Sequence, residues 1–150
     1  MSDPFKTRLS SEKYDRPNWE RTMKKIALFK VFVKDQNTAL KFYVGQLGFE
    51  VAEDRQLGDY RWLLVRAPDN KEVSINLEVA KTDEEKRLVG RQAAKQPLFS
   101  IATDDCKRDY AEMKRRGVRF EGEPRTMPYG TGVMMMDLYG NKIYLNQEPV

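Results

Sequence analysis

Two stretches of this chain repeat one order of elements. Residues 32–50, FVKDQNTALKFYVGQLGFE, and residues 101–121, IATDDCKRDYAEMKRRGVRFE, each run from the end of an apolar strand into an acidic helix start, an amphipathic helix, a glycine and a new strand. Self-similarity of this kind means that one supersecondary unit is used twice. Periodicity completes each copy. Apolar alternation predicts strands at 26–34, 48–54, 60–67 and 71–79 around a helix at 36–47. It predicts strands again at 97–103, 118–123, 131–137 and 142–147 around a helix at 105–116. Ala39, Phe42, Tyr43 and Leu47 form the apolar stripe of the first helix, and Gly48 suits the left-handed cap that ends it. Pro68-Asp69-Asn70 marks one turn, and Gly140-Asn141, within DLYGNKIYL, marks another, because Gly and Asn tolerate positive φ. Thr82-Asp83-Glu84-Glu85 is a capping-box pattern that opens a short helix in the link between the copies. The fold class is therefore α+β, with two tandem β-α-β-β-β units at about 25–80 and 96–148, a linker at 81–95, and one domain over 25–150.

Residues 1–24 are polar, carry Pro4 and Pro17 and show no sustained period, so they read as an N-terminal arm. Phe5, Tyr14 and Trp19 are its candidate anchors on the domain. The arm lacks the apolar segment of a secretory signal, and Asp3, Glu12, Asp15 and Glu20 argue against a transit peptide, so the expected compartment is the cytoplasm. No apolar run approaches the ~20 residues that span a bilayer, and no membrane role is expected.

Composition removes several chemistries. The chain has no histidine, which excludes Ser-His and Cys-His nucleophile pairs and imidazole acid–base catalysis, and takes away the commonest transition-metal ligand. A single cysteine, Cys106, excludes an internal disulfide and zinc ribbons. The net charge of +4 is spread along the chain, and the densest basic run, KRRGVR at 114–119, falls at a helix end where it complements the dipole. No nucleic-acid partner is expected.

The residues VFVKDQNTALKFYVGQLGFEV in the first unit, with ATDDCKRDYAEMKRRGVRF and PYGTGVMMMDLYGNKIYLNQ in the second, resemble the vicinal oxygen chelate superfamily of glyoxalases, bleomycin-resistance proteins and extradiol dioxygenases. The resemblance covers residues 26–148. It implies that each unit curls its strands into a mixed sheet with helices on the convex side, leaving a concave cavity. Enzymes of the family hold a metal there with ligands on the first and last strand of each unit. Those positions map to Leu28 and Asn76 in the first unit, and to Leu98 and Tyr144 in the second. Two leucines offer a cation nothing, so no metal and no cofactor is expected. Glu78, Glu50, Glu53 and Asp137 are the remaining oxygen donors near these strands.

Alternation then gives a cavity inventory. Lys30 and Phe32, Ser74 and Asn76, Ser100, and Lys142 and Tyr144 share the face opposite the helix-directed apolar set, and Met134 and Trp62 join them as candidate ligand-binding residues. Lys30 and Lys142 either favour an anionic or carbonyl-bearing ligand or snorkel to water. Tyr144 either donates to a ligand oxygen or fills the metal's space. The Met134-Met135-Met136 run is core filling or, on one side, a plastic wall, and Trp62 is core or a stacking platform. Cys106 lies in the first turn of the second helix, where the dipole favours a thiolate, yet on the buried stripe with Tyr110 and Met113. PYGTG is a hairpin or rim loop.

These readings converge on a metal-free small-molecule binding protein whose ligand is aromatic or anionic, held between the units or between subunits of a homodimer. The alternative is a divergent metal-dependent lyase, isomerase or dioxygenase of the same superfamily. If the protein is an enzyme without metal, Lys142 and Tyr144 are the candidates for chemistry.

Overall fold

A computed structural model describes residues 25–150 of the chain. The expected arm, with Phe5, Tyr14 and Trp19, lies outside the described residues. The elements follow the order expected from the repeat. The first unit holds β1 (Leu28–Val33), α1 (Gln36–Leu40, continued by a π-helical segment Lys41–Gln46), β2 (Glu50–Leu57), β3 (Tyr60–Arg66) and β4 (Ser74–Val79). After α2 (Asp83–Leu88) come β5 (Pro97–Ala102), α3 (Cys106–Arg115), β6 (Arg119–Met127), β7 (Gly130–Met136) and β8 (Lys142–Gln147). Each unit forms a four-stranded mixed sheet, in the orders β1-β4-β3-β2 and β5-β8-β7-β6. In each, a helix carries the chain from the first strand to the far edge, two antiparallel strands bring it back, and the last strand pairs in parallel with the first.

The apolar set expected to meet the helices does so. Val31, Val33, Leu63, Val65, Ile75 and Leu77 of the first sheet and Val133, Met135, Ile143 and Leu145 of the second are buried in one core with Ala39, Phe42, Tyr43 and Cys106. The first helix differs from a plain α-helix in its second half. Leu47 N–H reaches back to the Phe42 carbonyl, and the wider winding accompanies burial of both Phe42 and Tyr43. Gly48, at φ +92°, then ends it as expected.

The helix-bearing sides of the two units are tied together. Phe29 and Phe99 bring their ring centroids to 5.5 Å. Gln46 donates to the Arg116 carbonyl, and the Asp35 N–H donates to the Tyr139 hydroxyl. Tyr43 donates its hydroxyl to Asp137, a fully buried carboxylate that also accepts from the Tyr139 and Asn141 N–H groups and from the Asn141 amide. This cluster corrects the expected Gly140-Asn141 turn: Gly140 takes positive φ, at +99°, and Asn141 does not. Asn141 is set by its side-chain bond to Asp137 rather than by left-handed backbone.

Burial first, and then the Asp137 charge and hydrogen bond, push the Tyr43 phenol well above its usual range. A phenol whose folded pKa exceeds its unfolded one contributes stability that is whole below the unfolded value and is lost as pH rises through the folded value. The urea midpoint should hold to about pH 10 and fall above it, with a shallower fall in Tyr43→Phe. Equal slopes in the two proteins would contradict this assignment.

The linker does more than connect. Thr82 and Glu85 form the expected capping box of α2. Beyond it, Gly90 lies so close to the turn between β7 and β8 that an added Cβ would sit 1.9 Å from the Tyr139 carbonyl oxygen. Gln92 then clasps β1, accepting from the Phe32 N–H at 2.7 Å and donating to the Lys30 carbonyl at 2.9 Å. A single side chain satisfies two backbone groups of β1, an edge strand of its sheet.

Candidate ligand-binding site

The candidate residues fall on the faces turned away from the helices, in matching rows. In the first sheet the register aligns Lys30 with Asn76 and Asn76 with Leu64, while Leu28 aligns with Ser74 and Phe32 with Glu78. In the second it aligns Ser100 with Tyr144 and Tyr144 with Met134, which in turn faces Glu121. Asn76 and Tyr144 therefore hold equivalent places in the two units. Trp62 shares the alternation of Leu64 and is half-buried.

The two rows differ in character. Lys30 is exposed, whereas Ser74 and Asn76 are buried. Asn76 donates its amide to the Leu63 carbonyl at 3.2 Å, and its Oδ1 has no partner. Glu78 accepts from Tyr60 at 2.6 Å, and this bond is the main cause that pushes the Tyr60 phenol up to about 12. In the second sheet Lys142 is matched by Glu121 at 3.0 Å, which neutralises the charge that made it a candidate for anion binding. Ser100 is exposed.

Tyr144 has the most constrained position of the set. A Cβ on Gly132 would meet the Tyr144 hydroxyl oxygen at 2.0 Å and its Cζ at 2.4 Å, so the end of the ring rests on bare backbone. Only glycine allows that approach. Around it lies a cavity of about 330 Å³ lined by Tyr144, Met134, Tyr129, Met127, Glu121 and Arg125. Tyr129 is 67% exposed and Met127 44% exposed. PYGTG is the tight hairpin that brings them there, since Met127 pairs with Gly130 across Pro128-Tyr129. Met127, Tyr129 and Gly132 were not among the expected cavity residues. Their signal was the PYGTG motif, whose partner Tyr144 becomes visible only once β7 and β8 are paired.

The structure does not bring the whole set into this cavity. Ser100 lines a different one, of about 410 Å³, and Glu78 a small one of about 180 Å³ beside Tyr60 and Lys81. Lys30, Phe32, Trp62, Ser74 and Asn76 line none of these three.

The residues present do not fit a metal of the family type. Leu28 and Leu98 carry no donor atoms, which leaves one amide oxygen at Asn76 and one phenol oxygen at Tyr144, too few donors for a divalent cation. The other oxygens are engaged elsewhere: Glu50 pairs with Arg66, Glu53 with Arg55, and Asp137 is saturated by four donors. Among the described residues no three Cys, Asp or Glu side chains converge on a common point.

Cys106 is likewise no nucleophile. It is fully buried, and burial, with Asp109 and Asp105 adding, pushes its thiol up rather than down. Iodoacetamide should label it only on unfolding, and prompt stoichiometric labelling of the native protein would contradict that placement.

Among the described residues no helix is long and apolar enough to cross a membrane. Comparison with known proteins agrees with the fold. An uncharacterized protein of Shewanella frigidimarina (strain NCIMB 400) is 37% identical over 73% of this chain and 82% of its own length. YurT of Bacillus subtilis (strain 168) is 31% identical, over 83% of this chain and 99% of its own. Among solved structures, UcmS2 superposes with a TM-score of 0.74 at 27% identity, covering 83% of this chain and 98% of that one. TnmS3, an antibiotic binding protein from Streptomyces sp. CB03234, superposes with a TM-score of 0.71 at 31% identity, covering 85% and 98%. The model of the Glyoxalase/Bleomycin resistance protein/Dioxygenase superfamily matches residues 25–145, and the chain belongs to that superfamily.

Proposed function

We propose that this protein binds a small, flat organic molecule on the open faces of its sheets, without a metal ion, as a cytoplasmic homodimer. The observation that carries the reading is Tyr144 seated on Gly132 beside Met134, Met127 and Tyr129. This wall is aromatic and polarizable, and the resemblance implies that Tyr144 stands where a family enzyme keeps a metal ligand. Aromatic faces and adaptable thioethers suit planar ligands. The antibiotic-binding role of TnmS3 supports the same class of function. Lys142, held by Glu121, gives little reason to require an anion, so the ligand is better described as aromatic than as acidic.

A second copy supplies what one chain leaves incomplete. Lys30, Asn76 and Trp62 share no cavity with Tyr144 and Met134 within the chain. A homodimer that set the first unit of one protomer against the second unit of its partner would bring Lys30, Asn76 and Trp62 opposite Tyr144 and Met134. Light scattering combined with elemental analysis, on protein purified without chelator, tests the reading. The expected result is twice the mass of one chain and far less than one metal ion per chain. One equivalent of iron, manganese, nickel or zinc per chain would overturn it in favour of a metal-dependent enzyme.

A further inference from the structure

The junction of the two units is filled at one end and open at the other. At the filled end Tyr139, from the turn between β7 and β8, reaches Asp35 of the first unit, and Gly90 packs on the Tyr139 carbonyl. The matching turn of the first unit, between β3 and β4, has Pro68, Asp69 and Asn70 and no aromatic side chain between Ala67 and Val73. Next to it lies the cavity of about 410 Å³, with Phe29, Phe49 and Ile75 of the first unit lining it together with Phe99, Ile101 and Ala102 of β5. The alternation that buries Val31 and Leu77 also puts Phe29 and Ile75 on the helix-bearing side. This cavity shares no lining residue with the one at Tyr144, although Ser100 and Ala102, of the same parity as Tyr144 across the β5–β8 pair, reach its edge.

We propose that the junction cavity is a second binding site, for an uncharged aromatic molecule of two or three rings. Its volume lies in the range of small-molecule sites, roughly 300–1,000 Å³, and its floor is aromatic and aliphatic. The tilted Phe29–Phe99 pair offers a ring face from each unit. The charged residues lining it are Arg66 and Asp69, of opposite sign, and Arg66 is already paired with Glu50 at 2.8 Å. With Arg66 so held, the one unmatched charge at the rim is the exposed Asp69 carboxylate, which disfavours an anionic ligand. The site exists because the first unit's turn lacks the aromatic plug that the second unit has in Tyr139.

Fluorescence titration of the full chain with N-phenyl-1-naphthylamine, an uncharged probe of this class, tests the site. The expected result is saturable binding, with the sulfonated analogue 8-anilinonaphthalene-1-sulfonate at least about tenfold weaker. Asn70→Trp and Ala102→Trp, both at exposed positions, fill the cavity as Tyr139 fills its counterpart. Each should lower affinity for the uncharged probe by at least about tenfold with circular dichroism unchanged, both in the parent protein and in a Tyr144→Ala background that removes the open-face site. Unaltered binding in both tryptophan variants, equal binding of the sulfonate, or loss in Tyr144→Ala alone would overturn the proposal. Only the last of these outcomes would place the probe at the open face, and none of them bears on metal content or on the dimer.

Discussion

Replacing Asp137 by alanine is expected to destabilise the protein by about 4 kcal/mol, one of the largest losses available to a single substitution here. The carboxylate is fully buried and accepts four hydrogen bonds, from Tyr43, from the backbone of Tyr139 and Asn141, and from the Asn141 amide. Alanine would leave all four donors unsatisfied, in a site too enclosed for water to replace every bond. The Tyr43 bond also crosses from the first unit to the second, so the loss falls on the contact between units as well as on one turn. Urea unfolding should show the midpoint falling strongly. Asp137→Asn should lose less, because it keeps an acceptor for part of the set. A change in Asp137→Ala below about 1 kcal/mol would show that the cluster is not the clasp inferred here.

Substitution of Gly90 should rank with it. At φ +75° the backbone is in the left-handed region, and the new Cβ would lie 1.9 Å from the Tyr139 carbonyl oxygen and 2.7 Å from its carbon. Both obstacles are backbone, so no side-chain rotation relieves them. Strain and displacement together should cost about 3 kcal/mol in Gly90→Ala, or a fall in Tm on the order of 10 °C. The linker carries Gln92 two residues later, so hydrogen exchange should also quicken at the Phe32 amide, whose acceptor is the Gln92 side chain. Parent-like stability with a protected Phe32 amide would mean that the linker is free to move away from the turn.

These two positions show what could and could not be read along the chain. Alternation in LFKVFV and KIYLNQ assigned Val31, Val33, Ile143 and Leu145 to the core and left Lys30, Tyr144 and Asn146 on the other face, because strand parity is a local property. The Thr82 capping box was legible for the same reason. Asp137 read only as the end of a strand and a spare oxygen donor, since its role depends on Tyr43, far away in sequence. Lys142 looked like a free cation until the pairing of β6 and β8 on either side of β7 brought Glu121 beside it. Gly132 carried no local signal of contact with Tyr144. Gln92 belonged to a linker with no period to analyse, so its clasp on β1 appears only in three dimensions. The candidate site divided in the same way. The face was predictable from parity, whereas the grouping of Tyr144 with Met127 and Tyr129, apart from Lys30 and Asn76, required the structure.

The open face around Tyr144 is proposed to hold a small organic molecule without a metal. Native mass spectrometry of gently purified parent protein and Tyr144→Ala tests it most directly. The expected result is a dimer that retains a small organic mass in the parent protein and loses it in the variant, with no metal adduct in either. A metal adduct, or an organic mass retained equally by both proteins, would contradict it.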